Sequence, residues 1–193
     1  SPISFIAEGI IPDLEHATQT GNKIIHSSNN TKNASVAFNP VISEGIIRFE
    51  GYFENHGHYK FIFGVADSSA VFGADEWPFD SENEKKTVRY LNDGRISHIG
   101  DDFIKGNSQI EENKSIAMEV NMNIIPRTLT FFYDNQEQRL SVANIPSQIR
   151  FYIYIANEMS SFTITRFERI KSSSAKGGIK GQRIVEWGKE WKN

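Results

Sequence analysis

Apolar and polar residues alternate with a period of two in one short stretch after another, and no run of ten residues carries a convincing helical stripe. Phe151, Ile153 and Ile155 alternate with Arg150, Tyr152 and Tyr154. Ile116, Met118 and Val120 mark a second stretch, and Phe162, Ile164 and Arg166 a third. Side chains at i and i+2 share one face of a strand, so these patterns predict half-buried strands over 115–121, 150–155 and 161–167. Val36 and Phe38 alternate in the same way before Pro40 interrupts. Tyr59 to Val65 carries aromatic and β-branched residues at both parities, which predicts a strand buried on both faces. Shorter strands are expected at Thr87–Leu91, Thr128–Tyr133 and Arg139–Val142. Asn92-Asp93-Gly94 supplies a tight turn, because Asp-Gly readily adopts positive φ. Gly51, between Ile46 and Phe53, is a place for a bulge. The result is about eight or more short strands with turns roughly every 8–12 residues, the pattern of an all-β sandwich or barrel.

Between these strands lie a polar loop at 26–33 and a long irregular segment from Ala66 to Lys86. Residues 172–182, SSSAKGGIKGQ, form a Ser/Gly/Lys-rich connector. Arg183 to Trp187 is a candidate last strand, and Trp187 and Trp191 give the tail the means to dock back on the body. The expected organisation is one domain over 1–171, with a connector and a docking strand or tail over 172–193. The opening Ser-Pro-Ile-Ser-Phe reads as an excised piece of a longer chain, or one relieved of a tag.

Composition narrows the chemistry. A chain of 193 residues with 38% apolar and 23% charged residues can bury a core without disulfides or a structural metal. The absence of cysteine removes disulfides, thiolate zinc sites and thiol nucleophiles, and fits a reducing compartment; a cytoplasmic location is the expectation. A net charge of −3 offers no electrostatic reason to bind nucleic acid or anionic lipid. No apolar run is long enough to span a bilayer. The sequons at Asn29, Asn33 and Asn113 are read as chance matches in a chain rich in Asn, Ser and Thr.

Catalytic and metal motifs are missing. There is no Gly-x-Ser-x-Gly elbow, no Gly-x-x-x-x-Gly-Lys loop and no Gly-x-Gly-x-x-Gly. Asp101-Asp102 and Glu111-Glu112 do not follow calcium-loop spacing, and no strand carries a glycosidase-type carboxylate motif. His56 and His58 would grip a metal only weakly without further ligands, so a polar turn is the better reading. His98 reads as a structural histidine at a strand edge. Lys171, Lys176, Lys180 and Arg183 read as a solvated linker. No cofactor is expected.

From about Gly45 to Ile170 the order of motifs resembles the SPRY (B30.2-like) family. GIIRFEGYFE matches its opening Gly and aromatic-rich strand, and FIFGVADSS its strand ending in Gly-Val. EWPF and then VRYLNDGR match its Trp-containing loop and the Tyr before a tight turn. SIAMEV, TLTFFYDNQEQR, VANIP and IRFYIYI follow in the family's order. Asp134-Asn135 in place of Asn-Gly, and NMNIIPRT in place of a Gly-containing turn, mark a divergent member. The resemblance implies a bent β-sandwich of two antiparallel sheets, of the concanavalin A-like jelly-roll type. It implies a non-enzymatic protein-interaction module, of the kind found in larger signalling, scaffold or ubiquitin-pathway proteins. Its partner would be a short peptide or a protein surface, held by loops at one end of the sandwich.

The candidate partner-binding residues are Trp77, Phe79, His58, Tyr90, Asn92 and Arg95, carried by loops 54–58, 74–82, 91–97 and 134–138 expected to converge on one face. Trp77 and Phe79 sit among Asp75, Glu76, Asp80 and Glu82: rigid aromatics within a polar rim make an anchor for a partner, or two rings that pin the loop to the core. Tyr90 either lines a pocket beside the Asp-Gly turn or packs across the hairpin. Arg95, His58 and Asn92 would add polar specificity. A lectin-like sandwich, with Trp77 or Tyr90 stacked on sugar rings, is the alternative. A hydrolase with His98, Asp101 and Asp102 in a cleft is the third reading.

Overall fold

Alternation along IRFYIYI divides one strand between two environments. Ile149, Phe151, Ile153 and Ile155 enter the main core, while Tyr152 and Tyr154 face a second, smaller apolar cluster on the other side of the sheet. The computed structural model describes residues 3–100 and 102–193; Asp101, and with it half of the Asp101-Asp102 pair, lies outside the described residues.

The chain opens with β1 (Ile3–Ser4), β2 (Glu8–Ile10), β3 (Ala17–Thr20), β4 (Lys23–His26) and β5 (Ala34–Asn39). β6 (Ile46–Glu54), β7 (Ile62–Asp67), β8 (Thr87–Leu91) and β9 (Ile96–Ser97) follow, with a 3-10 turn at Glu84–Lys86 before β8. β10 (Ile116–Asn121), β11 (Thr128–Tyr133), β12 (Gln136–Glu137) and β13 (Leu140–Ala143) come next. β14 (Ile149–Ile155), β15 (Ser161–Ile170) and β16 (Arg183–Glu186) complete the order.

Two sheets form. One runs β16-β13-β11-β10-β6-β15-β4-β3, with β1 against β15 and β12 against β11; the other runs β2-β5-β14-β7-β8-β9. The expected sandwich is therefore present, with a departure from purely antiparallel strand pairing: β16 runs parallel to β13. The connector explains it. Ser173 Oγ and Ser174 N–H donate to Glu119 on β10, and the Lys176 and Gly177 N–H groups donate to Glu137 on β12. The chain thus crosses the outside of the ten-stranded sheet, and a crossover is what a parallel neighbour requires.

Phe49 of β6 organises the interior. Its ring centroid lies 5.0 Å from Phe151 across the sandwich, 5.3 Å from Phe38 and from Phe167, and 5.8 Å from Phe63. The irregularity expected at Gly51 sits on the partner strand instead. The β6–β15 register shifts between Ile164 and Arg166, opposite Gly51, whose missing side chain leaves room for the Thr163 carbonyl. The β3–β4 hairpin, turned by Gly21-Asn22 with Gly21 at positive φ, is an element that the alternation pattern did not flag.

Candidate functional site: a groove on the six-stranded sheet

The outward-facing residues of the six-stranded sheet are not the polar set that a solvent-facing sheet carries. Ala37, Ile62, Ala66, Leu91, Tyr152, Tyr154 and Ala156 form a contiguous buried cluster there. Residues 68–86 cover it as a third layer, laying Ala70, Phe72 and Trp77 on the sheet. The loop is tied down along its length. Ser68 N–H donates to Gln148 O at 2.9 Å, Ser35 Oγ to Glu76 O at 2.8 Å, Asn33 N–H to Asp75 Oδ1 at 2.8 Å and Asn83 Nδ2 to Val71 O at 2.8 Å. The Asn33 side chain also accepts the Tyr154 hydroxyl, so this sequon amide is part of the loop's mooring.

Trp77 pins its loop to the sheet, the second of the two roles weighed for it. Its indole stacks on Tyr154, and Phe79 stacks on Trp77 at 5.6 Å while remaining 41% exposed. Trp77 N–H donates to Asp80 Oδ2 at 2.8 Å, which closes the turn that sets Phe79 at the rim. Ile62, Trp77, Phe79, Leu91, Phe103 and Lys60 enclose a cavity of about 140 Å³ floored by Arg89 and Ser97. A second lobe of about 230 Å³ shares Phe79, Arg89, Ser97 and Phe103 and ends at Glu84 and Gly100. The two lobes make one aromatic-walled groove.

Arg89 is the floor. It is 3% exposed. Its Nε donates to Ser97 Oγ at 3.0 Å, Nη1 to Thr87 Oγ1 at 2.6 Å and Glu84 O at 3.1 Å, and Nη2 to His98 O. The Phe79 ring lies 5.7 Å from its guanidinium carbon. Burial pushes its pKa down, yet a guanidinium stays protonated in proteins. Among the described residues no carboxylate forms an ion pair with it.

The remaining candidates divide. Arg95 does not line the groove but touches a residue that does: its guanidinium covers the Phe103 ring at 4.5 Å while Nε donates to Asp93 Oδ2 at 2.7 Å. Tyr90 does not reach the surface at all. It is 0% exposed, packs edge-on against Phe131 of the opposite sheet at 5.0 Å, and donates its hydroxyl to Ser108 O at 2.7 Å. Its place among binding residues is corrected by parity: Tyr90 shares the inward face of β8 with Val88, and burial drives its pKa well above the ordinary phenol value. Asn92 is a turn residue whose N–H donates to Phe61 O and whose carbonyl accepts from Ile110 N–H. His58 is exposed and lies beside Tyr59, whereas His56 is fully buried against Phe53 and Phe61. The two rings therefore cannot share a ligand.

Of the four loops, 74–82 and 91–97 line the groove through Trp77, Phe79, Leu91 and Ser97, whereas 54–58 and 134–138 do not; Glu137 holds the connector and Gln138 Oε1 accepts from Ser108 N–H. The hydrolase constellation fails on His98 itself. Its Nδ1 donates to Thr87 O at 2.8 Å, its Nε2 accepts from Gly188 N–H at 3.0 Å, and Trp187 and Trp191 flank the ring. Glu112 is equally occupied, accepting the Asn55 and His56 N–H groups. Among the described residues no three His, Asp or Glu side chains group as metal ligands, and no helix is long and apolar enough to cross a membrane.

No family model matches the sequence, and no curated protein sequence matches it significantly. Solved structures do. The SPRY domain of human HERC1 superposes with a TM-score of 0.59 at 16% identity, over 80% of this chain and 96% of that one. The chain has an SPRY-like fold. The PSpry domain of TRIM65 is similar to it with a TM-score of 0.57 at 10% identity, over 84% of this chain and 92% of that one. The carbohydrate recognition domain of Emp46p, in a metal-free form, has a TM-score of 0.51 at 12% identity, covering 84% of the SPRY-like chain and 87% of its own. Arg89, the feature of the site that motif order did not single out, was readable from the same alternation: Val88 and Tyr90 on one face of β8 put Arg89 and Leu91 on the other.

Proposed function

We propose that this SPRY-like domain is a non-enzymatic protein-interaction module and that its partner is a peptide segment or protein surface seated in the groove walled by Trp77, Phe79 and Phe103. The observation that carries this reading is Phe79: a large ring left substantially exposed at the mouth of an apolar cavity, on a loop whose backbone is fixed by hydrogen bonds. A rigid aromatic of this kind can bury apolar area on binding at little entropic cost. Lys60 supplies the polar rim, with Arg95 beside it on Phe103. A role within a larger signalling or ubiquitin-pathway protein, working in a reducing compartment such as the cytoplasm, accords with the cysteine-free composition.

The lectin reading is weaker on the same geometry. Tyr90 is buried in the sandwich, and Trp77 is already stacked on Tyr154 and Phe79, which leaves neither as a free platform for a sugar ring. Peptides selected from a display library against the intact domain test the proposal. Phe79→Ala should weaken the selected peptides about 10-fold or more, and a glycan array should stay blank. Undiminished binding by Phe79→Ala, or binding to glycans alone, overturns it.

A further inference from the structure

We infer that the groove reads an acidic side chain: the segment it accepts carries an aliphatic or aromatic residue for the Trp77 lobe and an Asp or Glu for Arg89. This rests on the proposal that the groove is the binding surface, and it names the ligand's chemistry. Arg89 lies nearly buried at the junction of the two lobes, and among the described residues its hydrogen bonds go to neutral acceptors: two hydroxyls, on Ser97 and Thr87, and the carbonyls of Glu84, Thr87 and His98. A buried charge hydrogen-bonded only to neutral groups, with the Glu84 carboxylate acting on it from beyond ion-pair distance, still attracts an anion that enters beside it, and the low local polarity strengthens that attraction. The acids around the groove carry hydrogen bonds of their own, although Glu84 also lines the second lobe. Glu84 Oε1 accepts Gly100 N–H, Asp80 Oδ2 accepts Trp77 N–H, Glu76 Oε2 accepts Ser81 Oγ, and Asp93 pairs with Arg95.

The rim adds one cation: Lys60 lines the apolar lobe, whereas Arg95, across the Phe103 ring, is already paired with Asp93. The lobes continue to either side of Arg89, so an extended chain can pass over the guanidinium. That geometry suits an internal acidic side chain better than a chain terminus. The apolar lobe, at about 140 Å³, is of a size for one medium or large side chain.

Two peptides differing in one group test this without requiring any protein variant to fold. Acetyl-Leu-Gly-Glu-Gly-amide and its Gln isostere are titrated into the intact 15N-labelled domain, following the Arg89 Nε–H and Trp77 indole N–H signals. The Glu peptide should shift both, and the Gln peptide should bind about 10-fold more weakly. The Glu preference should shrink as salt rises. Equal binding by the two peptides overturns the acidic preference and leaves the groove reading standing. Movement of neither signal with either peptide overturns both. A variant of the Gln peptide with a free C-terminal carboxylate that outbinds the Glu peptide assigns Arg89 to chain ends and overturns the internal acid.

Discussion

The Trp77 indole lies on the Tyr154 phenol ring, with centroids 4.5 Å apart and planes inclined by 21°. This contact joins a loop to a sheet face that would otherwise be exposed apolar surface. Trp77→Ala removes the stack and part of the area it covers, while the loop's backbone anchors remain. The expected outcome is a folded domain less stable by about 2 kcal/mol in urea denaturation, roughly one aromatic pair plus partial burial. An unchanged midpoint would mean that the loop does not depend on its tryptophan.

Gly64 and Tyr152 are cross-strand partners, and the absence of a side chain at 64 is required by both neighbours. A Cβ there would meet the Val88 carbonyl at 2.0 Å and the Tyr152 ring and hydroxyl at 2.8 Å. The same hydroxyl donates to Val88 O at 2.9 Å. Gly64→Ala is expected to cost about 3 kcal/mol or prevent folding, since neither a backbone carbonyl nor a ring fully packed on the sheet can retreat. A melting temperature equal to that of the parent domain would contradict this packing.

On the opposite sheet, Glu119 accepts from the connector and lies 3.4 Å from Arg48 Nη1, with both side chains buried. Arg48 also meets Glu50 at 2.9 Å and covers the Phe132 ring at 4.5 Å. Glu119→Ala strands a buried guanidinium on a single remaining partner and frees the connector. A loss of about 3 kcal/mol is expected, together with faster amide exchange at Ser174, which donates to Glu119. Glu119→Gln should lose less, because its amide oxygen can still accept from the connector.

Acid should destabilise the domain in a defined window. Burial lowers the pKa of both His56 and His98 from 6.5 to about 4. Above pH 6.5 neither the folded nor the unfolded ring is protonated, so stability is full. Between pH 6.5 and 4 the unfolded ring takes up a proton that the folded one refuses, and stability falls. Below about pH 4 both states are protonated and no further loss comes from these rings. Each ring contributes a loss of up to about 3 kcal/mol by pH 4. For His98 the proton also opposes the Gly188 N–H bond to Nε2, so the Trp187–Trp191 tail should loosen first there. Denaturation series at pH 7 and pH 5 measure the slope, and His98→Gln should reduce it. A stability independent of pH across this range would contradict the two buried neutral rings.

Much of this fold is legible as alternation. Phe151, Ile153 and Ile155 announce their strand because period two is a local property, and so do Ile116, Met118 and Val120. The site was legible only in part. Trp77 and Phe79 stand out as aromatics in a charged loop, but nothing local says that residues 68–86 will lie flat on Tyr152 and Tyr154. That depends on the outer face of a sheet being apolar, which emerges only once β7, β8 and β14 are side by side. Tyr90 misleads for the converse reason. Its neighbouring Asp-Gly turn suggests a surface loop, while its parity with Val88 sends it inward. The parallel pairing of β16 was illegible as well, because it follows from hydrogen bonds between the connector and Glu119 and Glu137, distant in sequence.

The central claim is the location of the binding surface. It is tested most directly by mapping amide and side-chain NMR shifts of the intact domain when a display-selected peptide is added. The expected footprint is Ile62, Trp77, Phe79, Arg89, Leu91, Ser97 and Phe103, on the outer face of the six-stranded sheet. A footprint centred on residues 134–138 and the 172–182 connector, with those groove signals unmoved, would contradict the account.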